Sequence, residues 1–113
     1  MVATTTVPQS LLASNSVTAI RPQYGVVTLY GFGTKVFVDR GHLIVEDGIG
    51  SDRRKARFAR IGHNLRRLVV VGSDGMVSLS ALRWLADQDA SFVMLDRTGS
   101  PILTTGPVRP NAP

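Results

Sequence analysis

RRLVVVGSDGMVSLSALRWLADQDASFVMLDRTG, residues 66–99, is the stretch that decides the fold. Leu68 to Val71 are four consecutive β-formers, three of them β-branched, and the run is bounded by turn residues; it reads as a buried strand over 66–71. Gly72-Ser73-Asp74-Gly75 reads as a turn. SLSALRWLADQ follows with helical spacing: Ser78 suits the N-cap, and Leu79, Leu82, Leu85 and Ala86 fall on one stripe. SFVMLD (91–96) is a second apolar run of strand length. Two apolar strands joined by an amphipathic helix make a βαβ unit, so 68–71 and 92–95 are expected to be parallel neighbours. Arg97-Thr98-Gly99 turns the chain into PILTT.

Upstream, TKVFVDRGHLIVEDG (34–48) reads as a hairpin with Arg40-Gly41 at its tip, where Gly tolerates a positive φ. A two-residue turn fixes the register. Asp39 faces His42, Val38 faces Leu43, Phe37 faces Ile44, Val36 faces Val45 and Lys35 faces Glu46. Val36, Val38, Leu43 and Val45 then share a core face, and Asp39/His42 and Lys35/Glu46 form pairs on the other. GVVTLYG (25–31) is an earlier strand between glycines. Between hairpin and βαβ unit lies DRRKARFARIGHNLRR, for which the spacing is ambiguous. Gly62, His63 and Asn64 argue against a helix, so a strand is expected over 55–61 and a turn over 62–64. The fold class is therefore α+β: a β-rich domain of antiparallel hairpins plus one βαβ unit with a single main helix. Residues 1–22 read as a flexible N-terminal arm, 23–106 as the domain, and 107–113, rich in proline, as the start of a linker.

The 113 residues suit one small domain. The chain contains no cysteine, which removes disulfides and thiolate metal sites. No apolar run spans a bilayer and the N-terminus lacks the charged and apolar regions of a signal peptide, so a cytoplasmic protein is expected, with no membrane partner. The formal charge is +5. Eleven of the thirteen cations are arginine, which binds phosphate bidentately. Such a balance speaks about partners, and polyanions fit it.

Chemistry-bearing residues are sparse. Gly31-x-Gly33 and Gly48-x-Gly50 lack the third glycine or the Gly-Lys-Ser/Thr of a phosphate cradle and read as turns. Asp39, His42 and Glu46 are explained by the hairpin register without a metal. His63 reads as a turn residue or a phosphate contact, and Trp84 as packing. Glu46 is the only glutamate, which makes a carboxylate-rich metal centre hard to build. The run from Arg53 to Arg67 holds seven cations and no acid. Arg53, Arg54, Lys55, Arg57, Arg60, Arg66 and Arg67 are thus the candidate phosphate contacts of a nucleic acid or another polyanion; the competing reading is a solvated strand face with apolar stems covering the sheet.

GFGTKVFVDRGHLIVEDG followed by RRKARFARIGHNLRRLVVVGSDGMVSLSALRWLADQDASFVMLDRTGSPILTTGPVRP resembles the N-terminal domain of the CRISPR-associated Cas-one family, from about Val26 to Pro110. The most specific part is RRLVVVG…VSLSALRWLAD…FVMLDRTGSPI. The resemblance implies an antiviral-defence protein, a spacer-acquisition integrase with metal-dependent DNA endonuclease activity. It implies that this domain builds a homodimer, contacts the prespacer duplex, and works with a second CRISPR adaptation protein. Magnesium or manganese belongs to a helical domain of the family, and the chain ends at Pro113, where that domain is expected to begin. No catalytic residue or metal ligand is therefore expected within these residues, and the chain alone is not expected to be active. An alternative is a stand-alone, non-catalytic regulatory module that pairs with an intact integrase. Relatives tend to place glycine after the helix where ADQDA stands here, so Asp89 is expected to take a left-handed conformation.

Overall fold

The computed structural model describes residues 18–30 and 32–105. Residues 1–17 of the expected arm and the expected linker over 107–113 lie outside them. Among the described residues nine strands and one α-helix form in the order β1 (Thr18–Ala19), β2 (Val26–Tyr30), β3 (Thr34–Asp39), β4 (His42–Asp47), β5 (Arg54–Phe58), β6 (Arg67–Val71), β7 (Gly75–Val77), α1 (Leu79–Asp87), β8 (Ser91–Leu95) and β9 (Pro101–Thr105). They make two mixed sheets. One has the order β1-β5-β4-β3-β7 and the other β2-β6-β8-β9. The α+β, β-rich class read from the sequence holds.

The β3–β4 hairpin has the predicted register at every pair from Lys35↔Glu46 to Asp39↔His42. Its tip is a turn with Arg40 at φ 54° and Gly41 at φ 80°, the two positive values that match the twist of the flanking strands. Val36, Leu43 and Val45 are buried, and Val38 packs half-buried against them. β5 adds antiparallel to β4, so Asp47, Val45 and Leu43 lie opposite Arg54, Ala56 and Phe58 on the inner face. Strand alternation then sends Lys55 and Arg57 outward.

β6 and β8 are parallel neighbours, Leu68↔Phe92 to Val71↔Leu95, as a βαβ unit demands. Three features depart from the expectations. First, β5 stops at Phe58 and does not pair with β6. Gly62 (φ 76°) and Asn64 (φ 56°) turn the chain between them, Leu65 enters the core, and the chain leaves one sheet for the other. Second, the turn expected at 72–75 runs into β7, a three-residue strand parallel to β3 that visits the first sheet before the helix begins. Third, the arm's last described residues are not irregular. Thr18 and Ala19 pair parallel with Arg54 and Lys55, and Ile20 is buried.

Ser78 caps α1, its Oγ accepting from the Ala81 N–H at 3.1 Å. The buried face follows the predicted stripe in part: Leu85 is buried and Leu82 packs half-buried against the core. Ala81, Trp84 and Leu85 are buried, while Leu79 is 83% exposed and Ala86 is exposed. Trp84 turns inward with them, its Nε1–H donating to the Gly41 carbonyl at 3.0 Å on the hairpin tip. At the C-terminus Asp89 has φ 59°, left-handed as expected. The Asp89 N–H bonds Ala86 O at 3.1 Å and the Ala90 N–H bonds Leu85 O at 2.9 Å, the reciprocal pair of a Schellman ending. One core joins both sheets and the helix through Val27, Leu29, Leu43, Leu68, Trp84 and Phe92.

Candidate nucleic-acid interface

The seven cations of the basic run do not share a surface. Arg54 points inward with Ala56 and Phe58. Its Nε donates to Asp47 Oδ1 at 2.8 Å, and its Nη2 donates to Asp47 Oδ2 at 2.5 Å and to the Thr28 carbonyl at 3.0 Å. The Tyr30 N–H donates to the same Asp47 Oδ2 at 2.8 Å, and the guanidinium lies 4.6 Å from the centre of the Tyr30 ring. Asp47 is buried. This bidentate pair ties β4 and β5 of one sheet to β2 of the other. The hydrogen bond to Asp47 raises the Arg54 pKa above its ordinary value, against the opposing effect of burial.

Arg53 is also engaged. Its Nη1 donates to the carbonyls of Gly48 (2.8 Å) and Gly33 (3.1 Å), and its Nη2 pairs with Glu46. It thereby holds together two glycine turns that the sequence left unrelated. Gly48 cannot be replaced easily there: at φ 89° a Cβ would sit 2.3 Å from the Asp52 carbonyl oxygen. Glu46 faces Lys35 in the register, but its ion pairs run to Arg53 and to Lys55 (3.8 Å) on the neighbouring strand.

Lys55 and Arg57 are exposed on the outer face of the five-stranded sheet, and Arg60 is exposed in the crossing segment. Arg66 and Arg67 are exposed at the start of β6; Arg67 lies on the outer face of the four-stranded sheet and its Nε donates to Ser91 Oγ at 3.3 Å. The run is thus divided between structural pairs and two outward faces. His63 takes the turn role. Its Nδ1 accepts from the Leu65 N–H at 2.9 Å and its Nε2 lies 3.1 Å from the Gln88 side-chain amide; the ring packs 5.3 Å from Trp84.

Among the described residues no group of three or more His, Asp or Glu lies close enough together to hold a metal ion. No described helix is long and apolar enough to cross a membrane. What sequence reasoning missed is aromatic. Tyr24, Tyr30 and Arg21 line a cleft of about 540 Å³ beside β2 together with Arg54. Only the tertiary pairing of β1 with β5 builds that cleft, and no local pattern announces it.

A β-rich domain with a βαβ unit, one main helix and an Asp-bound turn after the last parallel strand defines a recognisable class. A casposase bound to its integration product is 26% identical to this chain over 73% of its length, with a TM-score of 0.67. A CAS1 protein from Thermotoga maritima superposes with a TM-score of 0.51 at 15% identity over 72%, and a Cas1 in complex with DNA with 0.52 at 15% over 75%. No protein-family model and no curated protein matches the chain. The chain spans about a quarter of the length of these three solved structures, 25%, 24% and 28%. The resemblance read from the sequence holds: the chain has the fold of a Cas1-family N-terminal domain.

Proposed function

We propose that this chain is the DNA-contacting and dimer-forming domain of a Cas1-type integrase, the enzyme class that inserts new spacers into a CRISPR repeat array. The observation that carries the reading is the likeness to the casposase, a protein captured on its integration product. The charge supports it. Lys55, Arg57, Arg60, Arg66 and Arg67 keep exposed side chains, while Arg53 and Arg54 support the surface through Glu46 and Asp47. Phosphate contacts of this kind position a duplex without reading its sequence. A second copy of the chain is expected on the outer face of the four-stranded sheet, where Val69, Val71, Val93 and Leu95 form a half-exposed apolar row. One neighbour is a complex that pairs Cas1 with Cas2, which makes a second adaptation protein the natural further partner. Magnesium or manganese belongs, in this reading, to a helical domain beyond these residues; the described side chains do not assemble a site for it.

The test is a salt titration on duplex DNA. Each cation that releases a counterion adds about 0.9 to the slope of log K against log salt. The pair Arg66→Gln/Arg67→Gln and the pair Lys55→Gln/Arg57→Gln should each flatten the slope by about 2 units if both faces touch phosphate, with little effect on the melting midpoint. Slopes that coincide with the parent for both pairs overturn the DNA reading. Tight association with an intact integrase in that event favours the regulatory-module alternative.

A further inference from the structure

Strands β2, β6 and β8 of the four-stranded sheet run parallel and end on the same side. Loops that leave the carboxyl ends of parallel strands are where such sheets hold ligands, because side chains from separate strands converge there. Here they enclose a cleft of about 250 Å³. Tyr30 ends β2 and Phe32 follows it; Val71 ends β6, with Ser73 and Asp74 after it; Arg97 follows β8, and all six line the cleft. Arg66 and Arg67 lie at the other end of the same strands.

The loops are pinned to one another. The Gly48 N–H donates to the Phe32 carbonyl at 2.9 Å, the Gly33 N–H to Asp74 Oδ2 at 3.1 Å, and the Gly72 N–H to the Leu95 carbonyl at 2.8 Å. Arg53 ties Gly33 to Gly48, and Tyr30 is fixed by Asp47 at its N–H and by Arg54 at its ring. Both rings nevertheless stay half exposed, Tyr30 at 51% and Phe32 at 54%. Rigid aromatic rings left in water suit protein recognition, since they bury a large apolar area and lose little freedom on contact. The cleft is smaller than the roughly 300–1,000 Å³ of a small-molecule site and suits one large side chain. Arg97 sets the charge. It is exposed, and its side chain makes no hydrogen bond or ion pair among the described residues. Neighbouring strands lie about 4.8 Å apart, so the β8 loop stands roughly 10 Å from the β2 loop, across β6. An extended peptide advances about 3.3 Å per residue, so a carboxylate two or three positions from an anchor on the rings reaches Arg97. A phosphate backbone fits less well, because Asp74 sets a carboxylate in the lining beside a single cation.

We propose that this cleft docks an extended segment of another protein, in which a large apolar side chain packs on Tyr30 and Phe32 and an Asp or Glu two or three positions away pairs with Arg97. The inference does not rest on the DNA reading above, whose contacts lie elsewhere on the domain. The probe is a library of random heptapeptides displayed on phage and selected against the full chain, with the enriched sequence then synthesised and labelled. Enrichment should give an aromatic or large aliphatic residue with an acid two or three positions from it. Phe32→Ala should weaken the synthetic peptide about tenfold or more, as truncating an interface anchor does. Arg97→Glu should weaken it further than Arg97→Gln, and should regain affinity for the same peptide with lysine in place of its acid. A merely structural arginine produces no such swap. Both side chains are exposed, so the variants should melt with the parent; if Phe32→Ala melts low, the swap at Arg97 carries the test alone. A selection that enriches nothing, enriched peptides without the acid, or binding that survives Arg97→Glu overturns the proposal. Duplex binding that falls in Phe32→Ala/Arg97→Gln assigns the cleft to nucleic acid, and self-association abolished by Phe32→Ala assigns it to a second copy; either result also overturns it.

Discussion

Replacing Arg54 with methionine should separate structural from nucleic-acid roles within the basic run. Methionine keeps much of the stem and removes the charge. What remains is Asp47, whose side chain is only 2% exposed, while that of Arg54 is 26% exposed. The carboxylate keeps the Tyr30 N–H and loses both hydrogen bonds from the guanidinium, and the Thr28 carbonyl on β2 loses a third. Breaking a buried pair from one side costs about 3–5 kcal/mol, and the surviving hydrogen bond favours the low end, about 3 kcal/mol. For a domain of this size that is about 12–24 °C of melting midpoint. Asp47→Asn should cost less, because the Arg54 left behind reaches water. The double variant Asp47→Asn/Arg54→Met should recover part of the loss, since no uncompensated charge stays buried. Urea and thermal melts of the parent, both single variants and the double variant give the cycle. If Arg54→Met melts within about 1 kcal/mol of the parent while its DNA salt slope falls by about 0.9, Arg54 serves phosphate and the structural argument is wrong.

Three further outcomes follow from the geometry. Asp89→Gly should raise stability by about 0.5–1 kcal/mol, because glycine meets no Cβ penalty at this left-handed helix ending; an unchanged or lower melting midpoint refutes it. The Asp96 carboxylate, held by the Thr98 hydroxyl, the Ser100 N–H and the Thr98 N–H, has its pKa lowered, chiefly by the Thr98 hydroxyl. A lowered folded pKa means that this contribution is present above the ordinary carboxylate range and is lost as pH falls through the folded value, so Asp96→Asn should reduce the loss of melting midpoint below about pH 4, and identical acid limbs would count against it. Finally, the purified chain should neither cut nor join DNA with magnesium or manganese. Its single glutamate is occupied by Arg53 and Lys55, and a cleavage that persists through clean purification and disappears in Glu46→Ala would contradict this.

Local chemistry made several elements legible without coordinates. Arg40-Gly41 set the hairpin register, because a two-residue turn leaves the pairing no freedom and the side-chain period of two then assigns every face. Ser78 marked the helix start, ADQDA marked a strained helix end, and two apolar strands around one helix implied parallel neighbours. The family likeness rests on that same order of elements. Tertiary structure decided what charge and periodicity could not. Arg53, Arg54 and Arg57 look equivalent in sequence, yet pairing β5 with β4 turns Arg54 onto a buried carboxylate, seats Arg53 between two glycine turns and leaves Arg57 in water. On the helix, packing keeps Leu82 and Leu85 of the expected stripe inward but turns Ala81 and Trp84 in beside them, the indole N–H bonded to the hairpin tip. The three-residue β7 and the two-residue β1 are too short to carry a pattern of their own and exist only because a longer strand offers them its edge. Spacing along the chain fixes which residues can share a face; which faces meet is settled by long-range pairing, whose partners lie tens of residues apart.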